Sequence, residues 1–144
     1  MTVMISESFW DNLYPKSVNQ EVDLKAYASV LDVFEKSCQK YPTRPAFSNM
    51  GQTLTYEDLR RHARDFASFL QHHTPLKPGD RIAIQMPNLL QYPVCIFGSM
   101  MAGLIVVNTN PLYTAREMEH QFNDSGAKAL VALANFGHLV ETVV

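Results

Sequence analysis

The sequence predicts an α/β fold: a parallel sheet built from strand-helix-strand units with flanking helices, preceded by an N-terminal arm and a small β-hairpin, and forming part of a larger domain. Three observations predict it. Apolar, β-prone segments at residues 81–86, 104–109 and 128–133 start 23 and 24 residues apart, and each gap holds one helical pattern. Strands alternating with helices at this spacing make a parallel sheet with right-handed crossovers. The run from Gly98 to Leu112 shows one such junction directly, an apolar helix closing at Gly103, a buried strand, and the polar loop Asn108-Thr109-Asn110-Pro111.

Residues 1–28 carry no sustained periodicity but include Phe9, Trp10, Tyr14 and Pro15, which predicts an arm that docks by its aromatic side chains. Ser29 with Asp32 three residues later is a helix N-cap pattern. Val30, Val33, Phe34, Ser37, Cys38 and Tyr41 then recur at helical spacing until Pro42. Two short strands, 45–49 and 52–56, flank the turn Asn49-Met50-Gly51 and predict a hairpin. Thr55 caps the next helix with Asp58 as its capping-box partner; Leu59, Ala63, Phe66, Ala67 and Leu70 form its apolar face, while Arg60, Arg61, Arg64 and Asp65 form the wetter side.

The turn Pro78-Gly79-Asp80 leads into the first parallel strand. Asn88 is placed to cap the first crossover helix, whose Pro93 is tolerable only in the opening turns, and Thr114 with Glu117 forms a capping box for the second. The continuous apolarity of 105–107 and 129–133 predicts strands covered on both faces and therefore central in the sheet. A last helix is expected over 138–144, with Leu139, Val140, Val143 and Val144 apolar and no polar cap after them. That ending predicts a piece of a longer protein.

Composition narrows the function classes. A chain of 144 residues, 47% hydrophobic and 18% charged, can bury one sizeable core, so a single domain or part of one is expected. The net charge of −2 comes from interspersed acids and bases. No basic stripe exists to neutralise a nucleic-acid backbone, so nucleic acid is excluded as a partner. Cys38 and Cys95 lie far apart on expected buried helix faces, outside any metal or redox spacing, which predicts a reducing cytosol. The N-terminus places Glu7 and Asp11 among its apolar residues and does not read as a signal peptide. The longest apolar run, 94–107, falls short of the ~20 residues a membrane-spanning helix needs.

The search for chemistry assigns no catalytic, cofactor-binding or metal-binding residue. Gly98 and Gly103 have the spacing of a phosphate-binding loop, but Leu104 and Ile105 follow where Lys and Ser or Thr are required. Gly98 is read instead as a point of close approach and Gly103 as a left-handed helix cap. His62, expected on a polar helix face, and His72, His73, His120 and His138 are scattered. His72 and His73 suit a helix C-terminus, and no spacing among the five matches a metal motif. No serine sits in a nucleophile-elbow pattern. The 108–113 loop follows a buried parallel strand, where open α/β sheets place ligands; as Asn and Pro are ordinary turn formers, a structural turn is weighed above ligand contact.

Six strings, at consistent spacing, carry a resemblance. Leu54-Thr55-Tyr56-Glu57-Asp58-Leu59 and the stretch from Met101-Ala102-Gly103 to Pro111 resemble the first two core motifs of the AMP-forming adenylating enzymes. The run from Gly79-Asp80-Arg81 to Pro87-Asn88, Gln91-Tyr92-Pro93, the run from Asn108 to Thr114, and Asp124-Ser125-Gly126-Ala127-Lys128 resemble the fatty-acyl branch. Nearly the whole chain is similar to the N-terminal part of a bacterial long-chain fatty-acid-CoA ligase. The resemblance implies that residues 29–144 are an incomplete N-terminal α/β portion of the ligase's large domain. For a full-length enzyme it implies fatty acid, ATP and coenzyme A as substrates, an acyl-adenylate intermediate, and magnesium assisting the first step. It also implies a cytoplasmic protein, associated peripherally with the inner membrane and homodimeric. The Ser/Thr/Gly-rich phosphate loop, the adenine and ribose contacts and the C-terminal catalytic lysine are missing from this sequence. The segment alone is therefore expected to be structural and inactive, with no cofactor of its own. The alternative is a free-standing α/β binding or interaction module that has lost the chemistry.

Overall fold

Three of the helices begin where a side chain satisfies amides that the first turn leaves unpaired. The computed structural model describes residues 13–18 and 23–143. Helix α1, Val30–Lys40, starts at Ser29, whose hydroxyl accepts from the Asp32 amide at 3.1 Å, and buries Phe34 and Cys38. Strands β1, Pro45–Asn49, and β2, Gln52–Thr55, pair antiparallel with Asn49 opposite Gln52. Helix α2, Tyr56–His73, opens on the full Thr55/Asp58 capping box and buries Leu59, Ala63, Ala67 and Leu70. Phe9 and Trp10 lie outside the described residues, and Tyr14 and Pro15 are exposed.

The parallel unit follows as β3, Arg81–Gln85; α3, Gln91–Met101; β4, Ile105–Thr109; α4, Ala115–Ser125; and β5, Ala127–Ala132. Helix α4 has the Thr114/Glu117 capping box. Helix α3 differs from expectation: it begins after Leu90 without a side-chain cap, and Asn88 is not its N-cap. The Asn88 carbonyl instead accepts from Asn49 Nδ2 at 2.8 Å, tying the hairpin turn to the loop after β3. With the helix starting at Gln91, Pro93 falls in the first turn, where its missing N–H has no partner to lose.

The exit from α3 is a glycine cap. Gly103 has φ +81, its amide donates to the Met100 carbonyl at 3.0 Å, and the Leu104 amide reaches the Ser99 carbonyl at 2.9 Å. This paired bonding closes the last carbonyls of the helix and aims the chain into β4. Only glycine takes that left-handed conformation without strain.

The three parallel strands run in the order β4-β3-β5. This corrects the expectation that the two most apolar segments are central, because among the described residues β4 and β5 flank β3. Apolarity reports coverage of a strand's faces, not its rank in the sheet. Strand β3, bounded by Arg81 and Gln85, is buried from Ile82 to Gln85, whereas Ile105 on β4 is 48% exposed.

The two faces of β3 meet different helices. Ile82 packs with Ala67, Leu70, Ala102 and Leu104, and Ile84 packs with Cys95 and Met86, so α2 and α3 cover this side. Gln85, on the opposite side, reaches Met118 of α4. Outside the sheet, Phe34 and Cys38 of α1 close over Leu59 and the hairpin, with Phe34 and Phe97 stacked at 3.9 Å between ring centres. A short 3₁₀ turn, Ala134–Phe136, leads into helix α5, Gly137–Glu141. That helix is shorter than the expected 138–144 because Thr142 ends it: its amide and hydroxyl both donate to the Leu139 carbonyl.

Four carboxylates are held below their ordinary range by donors aimed at them. The Lys36 ammonium and the Ala28 amide act on Asp32; the Thr55 hydroxyl and Arg61 act on Asp58; Lys128 and the Lys77 amide act on Asp80; the Thr114 amide and hydroxyl act on Glu117. A carboxylate whose folded pKa is depressed stabilises the fold above its unfolded pKa, and that stabilisation is lost as pH falls through the folded value. The urea midpoint is therefore expected to hold from neutral pH down to about 4, the ordinary carboxylate range, and to fall below it. Asp80→Asn should flatten that fall, and a midpoint that rises on acidification would contradict the assignment.

Candidate functional site

The connections after β3 and β4 separate, because β3 feeds α3 on one face of the sheet and β4 feeds α4 on the other. A gap opens where they part, at the C-terminal ends of the strands, which is where open α/β sheets admit ligands. The gap is a groove of about 370 Å³ lined by Met86, Pro87 and Asn88 after β3, Tyr92 on α3, and residues 108–111 after β4.

Its walls are pinned by polar contacts. The Tyr92 hydroxyl donates to Asn108 Oδ1 at 2.8 Å, across the two connections, and burial pushes the Tyr92 phenol up, so it stays a donor at neutral pH. The Asn108 carbonyl accepts from Gln121 Nε2 at 3.1 Å, and Asn110 Oδ1 accepts from the Leu112 amide at 3.0 Å. The side-chain oxygens of Asn108 and Asn110 thus serve the loop's own shape, as the structural reading of the 108–113 turn expects. Thr109 is buried at 4% exposure beneath the groove.

The polar side chains on this wall are neutral donors and acceptors, with no nucleophile placed beside a base among them. Both cysteines are buried, and burial pushes the Cys38 thiol up and the Cys95 thiol up to about 11, opposite to what an attacking thiolate needs. The histidines stay apart. His72 and His73 end α2, and His120 and His138 are exposed on α4 and α5. His62 departs from the expected wet face: it is half-buried beside an apolar hollow with Leu54, Leu90, Gln91 and Val94, because the hairpin and the start of α3 converge on it. Among the described residues no three His, Cys, Asp or Glu side chains gather as a metal site.

The glycine spacing that imitates a phosphate loop is filled by protein. A Cβ on Gly98 would stand 2.7 Å from the Ala63 carbonyl oxygen, and one on Gly103 would stand 3.1 Å from Pro78. The space beside these two glycines therefore does not fit a nucleotide phosphate. Sequence reasoning missed two residues of this region, Tyr92 as the strut of the groove and Gln85 as a fully buried amide on the strand that leads to it. A signal for the second was present: Gln85 directly follows the apolar residues 82–84 of the strand, in phase with Ala83, on the face that α4 covers.

Comparison with known proteins agrees with this architecture. A family model described as AMP-binding enzyme matches residues 34–143. The chain is 53% identical over 135 residues to a long-chain-fatty-acid–CoA ligase of Escherichia coli O6:H1, a match covering 94% of this chain and 24% of that protein. Against the same-named protein of Haemophilus influenzae the identity is 50% over 138 residues, covering 96% of this chain and 25% of the relative. The chain thus spans about a quarter of the length of these curated relatives. Among solved structures, a benzoate CoA ligase from Burkholderia xenovorans superposes with a TM-score of 0.73 at 25% identity, over 78% of this chain and 23% of that one.

Proposed function

This chain belongs to the AMP-binding enzymes, and we propose that it forms the scaffolding part of a long-chain fatty-acid–CoA ligase. The observation that carries the reading is the identity of 53% to the Escherichia coli ligase, extending over 94% of this chain. The whole enzyme would join a fatty acid to ATP with release of pyrophosphate, then pass the acyl group from the adenylate to coenzyme A with release of AMP. Magnesium would assist the first step. Residues 29–144 would belong to the large N-terminal domain, with residues 1–28 as a docking arm. The groove above β3 and β4 would be one wall of a site whose reacting groups lie in other parts of the enzyme. The same reading includes a cytoplasmic homodimer that associates peripherally with the inner membrane. No helix among the described residues is long and apolar enough to cross a membrane.

The test is a chimera in which this chain replaces the matching region of the Escherichia coli relative. Palmitate- and CoA-dependent AMP release is expected from the chimera, and none from this chain alone. A folded but inert chimera would favour the binding-module alternative, and AMP release by the isolated chain would place the chemistry within these residues. Translation of the coding frame past residue 144 is expected to reach a Ser/Thr/Gly-rich loop and a distant lysine. A stop codon there would withdraw the ligase reading.

A further inference from the structure

Three side-chain oxygens on α4 and on the strand ends it covers are buried with no partner. Gln85 and Thr109 are register neighbours at the C-terminal ends of β3 and β4, 0% and 4% exposed. In-register residues on parallel strands share a face, and the contacts identify which one. Asn108 turns its side chain to Tyr92 of α3, so Thr109 turns to the α4 side, where Gln85 Nε2 meets Met118 Sδ at 3.2 Å. Gln121 comes down from α4 onto the same strand end, its Nε2 on the Asn108 carbonyl. Gln85 Oε1, Thr109 Oγ1 and Gln121 Oε1 are all buried and unbonded.

We propose that Gln85, Thr109 and Gln121 hold one internal water molecule between the β3/β4 end and α4. The donor and acceptor count closes on a single water. Each amide oxygen can only accept, so the water donates one proton to Gln85 Oε1 and the other to Gln121 Oε1, and it accepts from the Thr109 hydroxyl. Three bonds is the usual complement of a buried water. Turning the Gln85 amide would not help, because it would strand an N–H and set the oxygen against sulfur. The water ties the strand ends to the helix directly below the 108–111 wall of the groove, independently of any ligase activity.

Two measurements on the full chain test this. A crystal structure that shows ordered solvent should place a water within hydrogen-bond distance of all three oxygens. A dry contact, with the Thr109 hydroxyl bonded straight to Gln85, would overturn it. Urea midpoints of Thr109→Val, Gln121→Met and the double variant supply the second arm. Each single change should lower the midpoint, and the double variant should lose clearly less than the two shifts added, since both singles break the same bridge. No direct bond joins these two side chains in the structure, so strictly additive shifts would rule the water out. Should a variant fail to fold, the crystal structure alone decides.

Discussion

Gly98→Ala is expected to destabilise this protein although it replaces glycine with the best helix former. In an open helix interior the exchange would gain about 1 kcal/mol. At Gly98 the new methyl would stand 2.7 Å from the Ala63 carbonyl oxygen and 2.9 Å from Phe66 Cδ1. Phe66 can turn, but the carbonyl is backbone of α2 and moves only if the whole α2/α3 contact opens. Overpacking of this kind costs about 1–3 kcal/mol, occasionally more, and the α2/α3 pair carries the sheet face against which Ile82 and Ile84 pack. The net loss is expected to be about 2 kcal/mol, read as a lowered urea midpoint. Gly137→Ala is the control of opposite sign. Gly137 has φ −51 and ψ −46 with nothing within 4 Å of an added Cβ, so a gain of about 0.4–1 kcal/mol is expected. A Gly98→Ala protein as stable as the parent would mean the two helices do not approach this closely.

What the sequence reveals divides along a physical line. Periodicity and caps are local, so the Thr55/Asp58 and Thr114/Glu117 boxes, the Gly103 cap and the apolar face of α2 were all legible from spacing. The Asn88 cap failed because the helix starts only after Leu90, and the backbone there is set by a contact remote in sequence: Asn49 Nδ2 of the hairpin turn, 39 residues away, donates to the Asn88 carbonyl. Strand rank failed for the same reason, since it depends on where the crossovers land. The groove was half legible. The loop after β4 followed from the strand that precedes it, but Tyr92 as its strut required knowing that α3 and α4 leave the sheet on opposite faces.

Ile84→Ala against Ile105→Ala tests the corrected strand order with one chemical change at two places. Both residues sit on apolar strands, and by composition alone the β4 residue is the better candidate for a central position. In the structure Ile84 is 0% exposed on β3, with Asn108 and Val131 as its register neighbours on either side and Cys95 and Phe66 packed above it. Truncation there loses the transfer energy of the missing carbons and leaves a cavity that three strands and two helices cannot collapse to fill. The expected cost is about 2–5 kcal/mol, a large share of the roughly 5–15 kcal/mol that holds a domain folded. Ile105 is 48% exposed, so water fills the space its side chain leaves. Its loss is limited to β-propensity and partial contact, no more than about 1 kcal/mol. The gap between the two urea midpoints is what the order β4-β3-β5 requires. Equal losses would mean that β4 is flanked on both sides, and the sheet would have to be redrawn with Ile105 inside it.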